Sequence, residues 1–429
     1  MNPGDYLDFE LRIWGESGHY YAEVTSESSA GSSERVVLDT LFENHDKVET
    51  LLLRLENALL RGRTGLRGGP LSCEEKALRD FGQAVFNTIF GAAPIARLYA
   101  QSRVDLENKK ETFSGIRVRL RIDTPDLARF PWEYLYNGPE REWLGLVHKS
   151  PIVRRLDVLQ TAAPLQLRGP LNILAMIANP GDPWGTIDAE RERHRIDQAI
   201  APHEKAGTVR LSWVPGDTRE QLMTAVGNGD WHVFHFIGHG GVPKPIEDPT
   251  TSPGSSDALQ GYIVLSDGQG SYSEVDASDL RTMLQGPGAG SLQLVVLNCC
   301  ESARAVPGDL FSSPAAALVR TGIPAVVAMQ FPIGDEAAIQ LSGAFYGKLA
   351  EGSPIELAMT EARRMMWAKS RIEWGIPVLY TRSKTGRLFT GMARPRPRSG
   401  RAPAPVPIDE STAKARARLR DLYREERGH

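Results

Sequence analysis

Two stretches decide the fold of this chain: WHVFHFIGHGG at residues 231–241 and LQLVVLNCCESARA at residues 292–305. Each is an apolar run, rich in β-branched and aromatic residues, that ends abruptly in small or polar ones, as a buried strand of a parallel sheet does. His239 stands at the end of the first run and Cys300 at the end of the second. Catalytic groups of open α/β sheets gather beyond the carboxyl ends of strands. If the two strands are neighbours, we expect an imidazole and a thiol to meet there.

The segments around these stretches alternate between predicted strands and predicted helices, which favours a mainly parallel sheet with helices on both faces. Further strands are predicted at LNILAMIA, TVRLSWVP and AVVAMQF, and helices near 188–206, 309–321, 335–351 and 354–370, with Ser278 as the cap of one more. Residues 1–165 combine short alternating strands with helices at 43–61 and after Ser72, and predict an α+β part. Within it, GIRVRLRID alternates apolar and basic residues and predicts a half-exposed strand.

Composition and charge are those of an ordinary globular protein. The chain has 429 residues, 41% of them apolar and 24% charged, with a formal net charge of −3, so no overall field draws it to nucleic acid or anionic lipid. No apolar run approaches the length of a membrane span, and the amino terminus lacks a secretory signal pattern. Three cysteines cannot form a disulfide framework and suit a reducing compartment. We expect a cytoplasmic protein that binds no membrane and does not bind nucleic acid directly.

The HFIGHG and VVLNCCES motifs resemble those of the CHAT domain, a bacterial relative of caspases and separase. The likeness extends to FPWEYLYNGPEREWLGLVHKSPIVRRL at 130–156, to ILAMIANP followed by IDAERERHRID, and to PAAALVRTGIPAVVAMQFPIGDEAA and FYGKLAEGSPIELAMTEARR after the cysteine. These segments follow the family's order over roughly residues 100 to 390. The resemblance implies a caspase-like α/β protease fold, preceded by the α+β part as a supporting, pseudo-caspase region.

Resemblance and composition together predict four regions. They are the supporting region at 1–165, the CHAT protease domain at 166–391, a Pro- and Arg-rich linker at 392–408 and a short helix at 409–429. The linker has no apolar periodicity and is typical of a stiff, extended tether. The terminal helix is either a solvated tail or a docking element for a partner.

The resemblance makes Cys300 the nucleophile and His239 the base of a Cys–His dyad, with the backbone N–H groups of Gly240 and Cys300 as the oxyanion hole. The chemistry fits, because a thiol attacks as thiolate and a neighbouring imidazole favours that form. Glycine at 240 lets the backbone approach a substrate carbonyl and take a positive φ. Strand alternation lets only one of the two adjacent cysteines point into the site. The family motif selects Cys300 and leaves Cys299 as packing; a structural thiol at Cys300 stays the alternative.

His235 lies four residues before His239 and is predicted to be a buried, hydrogen-bonded strand residue that supports the site. The H-x-x-H-x-x-x-H spacing that includes both would suit zinc only on a helix, so the sequence predicts no metal site. Nothing in the motifs calls for a cofactor either.

The resemblance also places the pocket for the residue before the cut, which caspase relatives build from loops beyond the first, fourth and fifth strands. The candidate pocket residues are Asp182, Asp188, Asn298, Asp335 and Glu336. Acids there would favour Lys or Arg in the substrate through charge-assisted hydrogen bonds. For Asp335 and Glu336, the acidic first turn of the following helix is the favoured alternative.

The function that these residues imply is a cysteine endopeptidase that cleaves a specific protein partner in a bacterial signalling or antiphage defence module. No 34-residue repeat or recognition domain is evident, so we expect the sensor or activator protein to be encoded separately. The alternative from another class is a catalytically weak caspase-like scaffold that binds partners. A phosphate-binding role for GHGG is not favoured, because the chain has neither G-x-G-x-x-G after a strand nor a Walker lysine.

Overall fold

A computed structural model describes residues 5–27, 31–38, 41–42, 45–61, 71–109, 113–157, 161–181, 183–184, 187–241, 261–286, 290–299 and 313–391. The predicted linker, the predicted terminal helix and most of the polar insertion after Gly241 lie outside the described residues. Cys300 and Asp182 lie outside them as well.

The amino-terminal elements combine an open set of strands with three long helices. The strands are β1 (Asp5–Glu16), β2 (His19–Ser26), β3 (Gly31–Ser32), β4 (Val36–Val37), β5 (Phe113–Ile122), β6 (Tyr136–Asn137), β7 (Glu142–Trp143) and β8 (Ile152–Arg154). The helices are α1 (His45–Arg61), α2 (Cys73–Phe90), α3 (Ala93–Asn108) and the single turn α4 (Pro125–Ala128). Ser72 caps α2 as predicted, because its hydroxyl accepts a hydrogen bond from the backbone N–H of Glu75 at 3.1 Å.

The carboxyl-terminal elements alternate between strands and helices, as the sequence pattern predicts. The strands are β9 (Leu165–Gln166), β10 (Leu171–Ile177), β11 (Val209–Trp213), β12 (Val233–Gly241), β13 (Tyr262–Ser266), β14 (Tyr272–Asp276), β15 (Leu294–Cys299), β16 (Ala325–Met329), β17 (Pro377–Thr381) and β18 (Phe389–Thr390). The helices are α5 (Ala189–Lys205), α6 (Arg219–Gly227), α7 (Ala277–Met283), α8 (Pro314–Arg320), α9 (Asp335–Ala350) and α10 (Ile355–Trp367). The cap predicted at Ser278 is wrong: Asp276 caps α7, accepting from the N–H of Asp279 at 2.8 Å.

One sheet joins the two sets of elements. Its strand order is β11-β10-β12-β15-β16-β17-β8-β5-β1-β2-β3, with β13, β14 and β4 attached beside this path. Most neighbouring pairs are parallel; β17 runs antiparallel to β16, and β2 to β1. The two strands that carry the sequence motifs, β12 and β15, are parallel neighbours, with Val233 opposite Leu294 and Gly238 opposite Cys299. The prediction of an α/β fold with a mainly parallel sheet is confirmed.

Helices cover this sheet on both faces, so alternate residues of each central strand enter different cores. Val233 and Leu294 pack with side chains of α5, α9 and α10. Phe234 and Val295 pack with side chains of α6, α7 and α8 on the other face. Burial on both sides explains why these strands are nearly continuous apolar runs rather than alternating ones.

The prediction that β5 is half-exposed is wrong, and the reason is electrostatic. Arg117 and Arg119 on β5 are 3% and 4% exposed. The Asp8 carboxylate on β1 accepts from Arg117 Nε and Arg119 Nη1, each at 2.6 Å, and Arg117 also pairs with Glu356 of α10. Because each buried guanidinium meets a carboxylate, an alternating apolar and basic strand can be covered on both faces.

Strand β8 connects the amino-terminal strands to the carboxyl-terminal ones. It lies between β5 and β17 and is parallel to both. Its last residue, Arg154, is 3% exposed and donates to both oxygens of Glu133 at 3.0 and 2.8 Å, and to the carbonyls of Ala128 and Phe130 at 2.8 and 3.0 Å. The domain boundary predicted at residue 165 stays a prediction; strands from both sides of it belong to one sheet.

We expect Arg154→Ala to destabilise the fold by about 3–5 kcal/mol, because the substitution leaves the Glu133 carboxylate charged, buried and without its guanidinium. Urea denaturation followed by circular dichroism would measure the shift in midpoint. The matched control is Lys348→Ala, which removes a surface ion pair with Glu351 at 2.7 Å and should cost less than about 1 kcal/mol. Similar small shifts for both variants would contradict a structural role for the buried pair.

Candidate active site

His239 lies at the point where β12 leaves the parallel sheet. The pairing of β12 with β15 ends with Ile237 opposite Asn298 and Gly238 opposite Cys299. From His239 onward, β12 pairs instead with β13 in an antiparallel register that sets His239 opposite Val264. The backbone that carries the imidazole is therefore paired with β15 up to Gly238 and with β13 from His239 onward.

Cys299 belongs to the hydrophobic core, as predicted. It is 3% exposed and packs in the core on the side of α6, α7 and α8. Asn298, one residue earlier, is not part of that core and lines a cavity beyond the strand ends, which Cys299 also borders. This alternation is what a regular strand gives.

Gly240 is required by close packing rather than by an unusual backbone angle. A Cβ atom at this position would lie 2.9 Å from the carbonyl oxygen of Tyr262 and 3.1 Å from Cys299 Sγ. The φ angle of Gly240 is not positive, so the positive φ expected from the sequence is wrong. Any larger side chain would push β13 or Cys299 away from the end of β12.

Trp184 packs beside His239, and sequence reasoning missed it. The Trp184 ring lies 6.2 Å from the His239 ring, centroid to centroid, and its other neighbours are Tyr262 at 6.0 Å and Tyr272 at 5.8 Å, both in edge-on geometry. Trp184 comes from the loop after β10, whereas the two tyrosines come from β13 and β14. The available signal was a single tryptophan in the polar segment NPGDPWGTID.

His235 supports the strand from within the core, as predicted. It is 2% exposed, and its Nδ1 lies 2.7 Å from the hydroxyl of Tyr346 on α9. Burial lowers the pKa of His235 to about 4, so this imidazole is neutral at pH 7. It is therefore a structural partner of α9 and not a second charge beside His239.

A cavity of about 130 Å³ opens beyond the carboxyl ends of β12, β15 and β16. Its lining consists of Ile187, Glu192, Ile237, Gly238, Asn298, Cys299, Met329, Phe331, Pro332, Ile333 and Ala338. Asn298 is thus the predicted pocket residue that the structure brings to this cavity. Glu192 was missed: its side chain is 16% exposed and pairs with Arg195 at 2.6 Å. Finding it would have required the rotational phase of α5, which the charged sequence ERERHRID does not reveal.

The other predicted pocket residues occupy helix starts. Asp188 is the N-cap of α5 and accepts from the N–H of Arg191 at 3.1 Å. Asp335 begins α9, and Glu336 beside it is exposed and pairs with Lys369 at 2.9 Å. Neither Asp188 nor Glu336 lines the cavity, and the part of all three residues in substrate binding stays a prediction; Asp182 lies outside the described residues.

Within the described residues, no cluster of histidine, cysteine, aspartate and glutamate side chains is arranged to hold a metal ion. Among the helices described, none is both long and apolar enough to cross a bilayer.

Comparisons with known proteins identify a family and structures that are distantly similar to this chain. A family model described as the CHAT domain matches residues 81–413. Two crystal structures of the Saccharomyces cerevisiae separase–securin complex are similar to this chain, with TM-scores of 0.48 and 0.39 at 12% and 13% identity. Each comparison covers 87% of this chain and 30% of the matched chain, so this chain spans less than a third of that length. The search of curated proteins found no match.

The low pKa of His235 predicts a pH dependence of stability. In the unfolded chain this histidine takes up a proton near its usual pKa of about 6.5, whereas the folded chain resists protonation until about pH 4. Its contribution is therefore intact above about pH 6.5 and is lost as the pH falls towards 4, by about 3 kcal/mol in total.

Urea denaturation of wild type and His235→Gln at several pH values would test this. Glutamine can still bond to Tyr346 but does not titrate, so the stability of the variant should fall less steeply between pH 6.5 and 4. The control is His194→Gln, on an exposed position of α5, which should follow the wild-type curve. Parallel curves for wild type and His235→Gln would show that His235 is not protected from protonation.

Proposed function

The chain belongs to the CHAT domain family, because the family model matches far more than half of its residues, and from this we propose that it is a cysteine endopeptidase that cleaves a specific protein partner. The observation that carries the proposal is the register of β12 and β15. Their last paired residues are Gly238 and Cys299, and the residues that follow these two in the sequence are His239 and Cys300. In that register, a base and a nucleophile follow neighbouring parallel strands.

Strand alternation supports Cys300 as the reacting thiol. Cys299 points into the core on the side of α6, α7 and α8, while Ile237 belongs to the opposite core and Asn298 lines the cavity. Cys300 has the parity of Asn298, and His239 has the parity of Ile237. We propose that Cys300 continues this alternation, in which case its side chain would share the face of His239.

The proposed reaction is acyl transfer to sulfur followed by hydrolysis. His239 accepts the thiol proton, and Cys300 Sγ attacks the scissile carbonyl carbon while the π electrons move to the carbonyl oxygen. The N–H groups of Gly240 and Cys300 are the proposed donors to this oxyanion. The C–N bond then breaks, and His239 gives its proton to the leaving amine. Water, deprotonated by His239, attacks the thioester and releases the carboxylate product and the free thiol.

The contact between Trp184 and His239 suits this role. The two ring centroids lie 6.2 Å apart, so Trp184 limits the orientations of the imidazole before the proton is transferred.

The cavity supports a long side chain before the cut, with a cationic end. Its apolar walls, including Met329 and Phe331, can pack along a methylene stem, while Glu192 and Asn298 offer acceptor oxygens. Arg195 already pairs with Glu192, so a substrate lysine or arginine would share that carboxylate or displace Arg195. We therefore propose a preference for Lys or Arg that is moderate rather than absolute.

The setting that we propose follows the family resemblance. The substrate is a protein, the activator is a separately encoded sensor protein, and the module serves bacterial signalling or antiphage defence in the cytoplasm. Direct binding of nucleic acid or membrane is not part of this proposal.

We expect Cys300→Ala to abolish cleavage, by at least about 10³-fold, because no other described or predicted group supplies the nucleophile. The chain would be expressed with the products of its neighbouring genes, and new protein termini would be mapped by mass spectrometry. Cys299→Ala is the matched control: it changes the adjacent thiol, which packs in the core, and should leave the cuts in place.

Thiol reactivity separates a protease that lacks its trigger from a scaffold. Cys300 should react with iodoacetamide near neutral pH much faster than Cys299, and His239→Ala should slow that reaction about tenfold or more. Equal cleavage by wild type and Cys300→Ala would sink the proposal. Slow alkylation of Cys300 together with no cuts would favour the scaffold instead.

Glu192→Gln tests the proposed preference before the cut. We expect kcat/KM for peptides with Lys or Arg at that position to fall about tenfold relative to methionine peptides, because one charge-assisted hydrogen bond becomes a neutral one. Glu190→Gln is the control, since Glu190 lies on the same helix but is exposed and outside this cavity. An unchanged Lys-to-Met ratio in Glu192→Gln would remove Glu192 from the pocket.

A further inference from the structure

A second cavity lies where the amino-terminal strands meet the segment after β17. Its volume is about 190 Å³, which is smaller than a drug-sized site but large enough for a small anion. Its lining consists of Asp8, Glu10, Thr25, Glu27, Arg119, Arg155, Leu156, Thr161, Arg382 and Lys384. It shares no lining residue with the cavity beside His239. Nine of its ten lining residues, all but Leu156, are polar or charged, so charge decides what the cavity can bind.

The lining carries four cationic side chains against three carboxylates. Two of the carboxylates are already engaged. Both oxygens of Asp8 accept from arginines, one of them Arg117 from outside the lining, and Glu10 pairs with Arg155. The third, Glu27, is exposed. The lining therefore carries one more cationic than anionic side chain.

Arg119 provides a donor that is buried and directed to no protein acceptor in the described part of the chain. The residue is 4% exposed; its Nη1 donates to Asp8 at 2.6 Å and its Nη2 to the Ser383 carbonyl at 3.3 Å. Its Nε is buried and has no hydrogen-bond partner among the described residues. Leaving such a donor unsatisfied is costly, and negative charge bound in the cavity that Arg119 lines would offset part of that cost.

Arg281 adds positive charge next to the cavity. Nitrogen atoms of Arg382 and Arg281 flank the open side of Gly322, at 3.6 and 3.9 Å from where a Cβ atom would lie. Burial lowers the pKa of Arg382, and the charge of Arg281 lowers it further. Two guanidinium groups that approach each other in this way are stabilised by an anion placed between or beside them.

We propose that this cavity is a binding site for a small oxyanion with two or more negative charges, of the phosphoryl or polycarboxylate type. Guanidinium groups bind such anions through paired N–H donors, which gives geometric fit as well as charge. Arg119 belongs to β5, and Arg382 and Lys384 follow β17, so a ligand here contacts segments on both sides of the β8 strand. The ligand would tie these segments together. The proposal does not depend on peptidase activity.

The test is isothermal titration of the full chain with pyrophosphate, inorganic phosphate and citrate at constant ionic strength, together with the melting temperature in each anion. We expect saturable binding of at least one anion tighter than about 1 mM, with a raised melting temperature. Tighter pyrophosphate than citrate binding would assign a phosphoryl ligand, and the reverse a polycarboxylate.

Two variants locate the site. Arg382→Gln and Lys384→Gln should each weaken binding about tenfold, since each removes one charge; the Lys384 side chain is exposed, and its backbone carbonyl remains free to accept from Arg117. The control is Arg12→Gln, on β1 but outside the lining, which should bind as wild type does. No saturable binding by any of the three anions, or equal weakening in all three variants, would overturn the proposal.

Discussion

The register between β12 and β15 is the constraint on which the rest of the structure depends. Both strands are covered by helices on both faces, so a slip of one residue would exchange the two cores and turn every side chain to the wrong side. The same register brings the ends of the two strands level, with Gly238 opposite Cys299. The packing of the core and the adjacency of the two strand ends are thus consequences of one pairing.

Buried arginines let the sheet continue from the candidate protease strands into the amino-terminal ones. Arg154 on β8 and Arg117 on β5 are both almost fully buried, and each meets a carboxylate from another segment. A purely apolar junction would bury as much surface but would be less selective for one alignment of β5, β8 and β17. Burial of charge therefore demands a particular set of partners, which an apolar contact does not.

The sequence was sufficient to predict the strands and helices near the candidate site, because a strand buried on both faces has a strong and continuous apolar signal. It was insufficient wherever a residue's environment depends on a distant partner. The basic residues of β5 looked solvent-facing because Asp8 and Glu356 are far away in sequence. Glu192 and Trp184 were missed for the same reason: what brings each to the site is the phase of a helix or the path of a loop, and neither leaves a periodic pattern.

The position of β8 has a consequence for how the molecule meets its own copies. Without β8, one side of β17 would present unpaired N–H and C=O groups, and such an edge invites strand addition from another chain. With β8 in place, the described part of the sheet ends instead at β11 on one side, where the Glu204 carboxylate accepts from the N–H of Leu211 at 3.0 Å, and at the short strands β3 and β4 on the other. The amino-terminal strands thus cover the edge that β17 would otherwise expose, and so prevent another chain from adding a strand there.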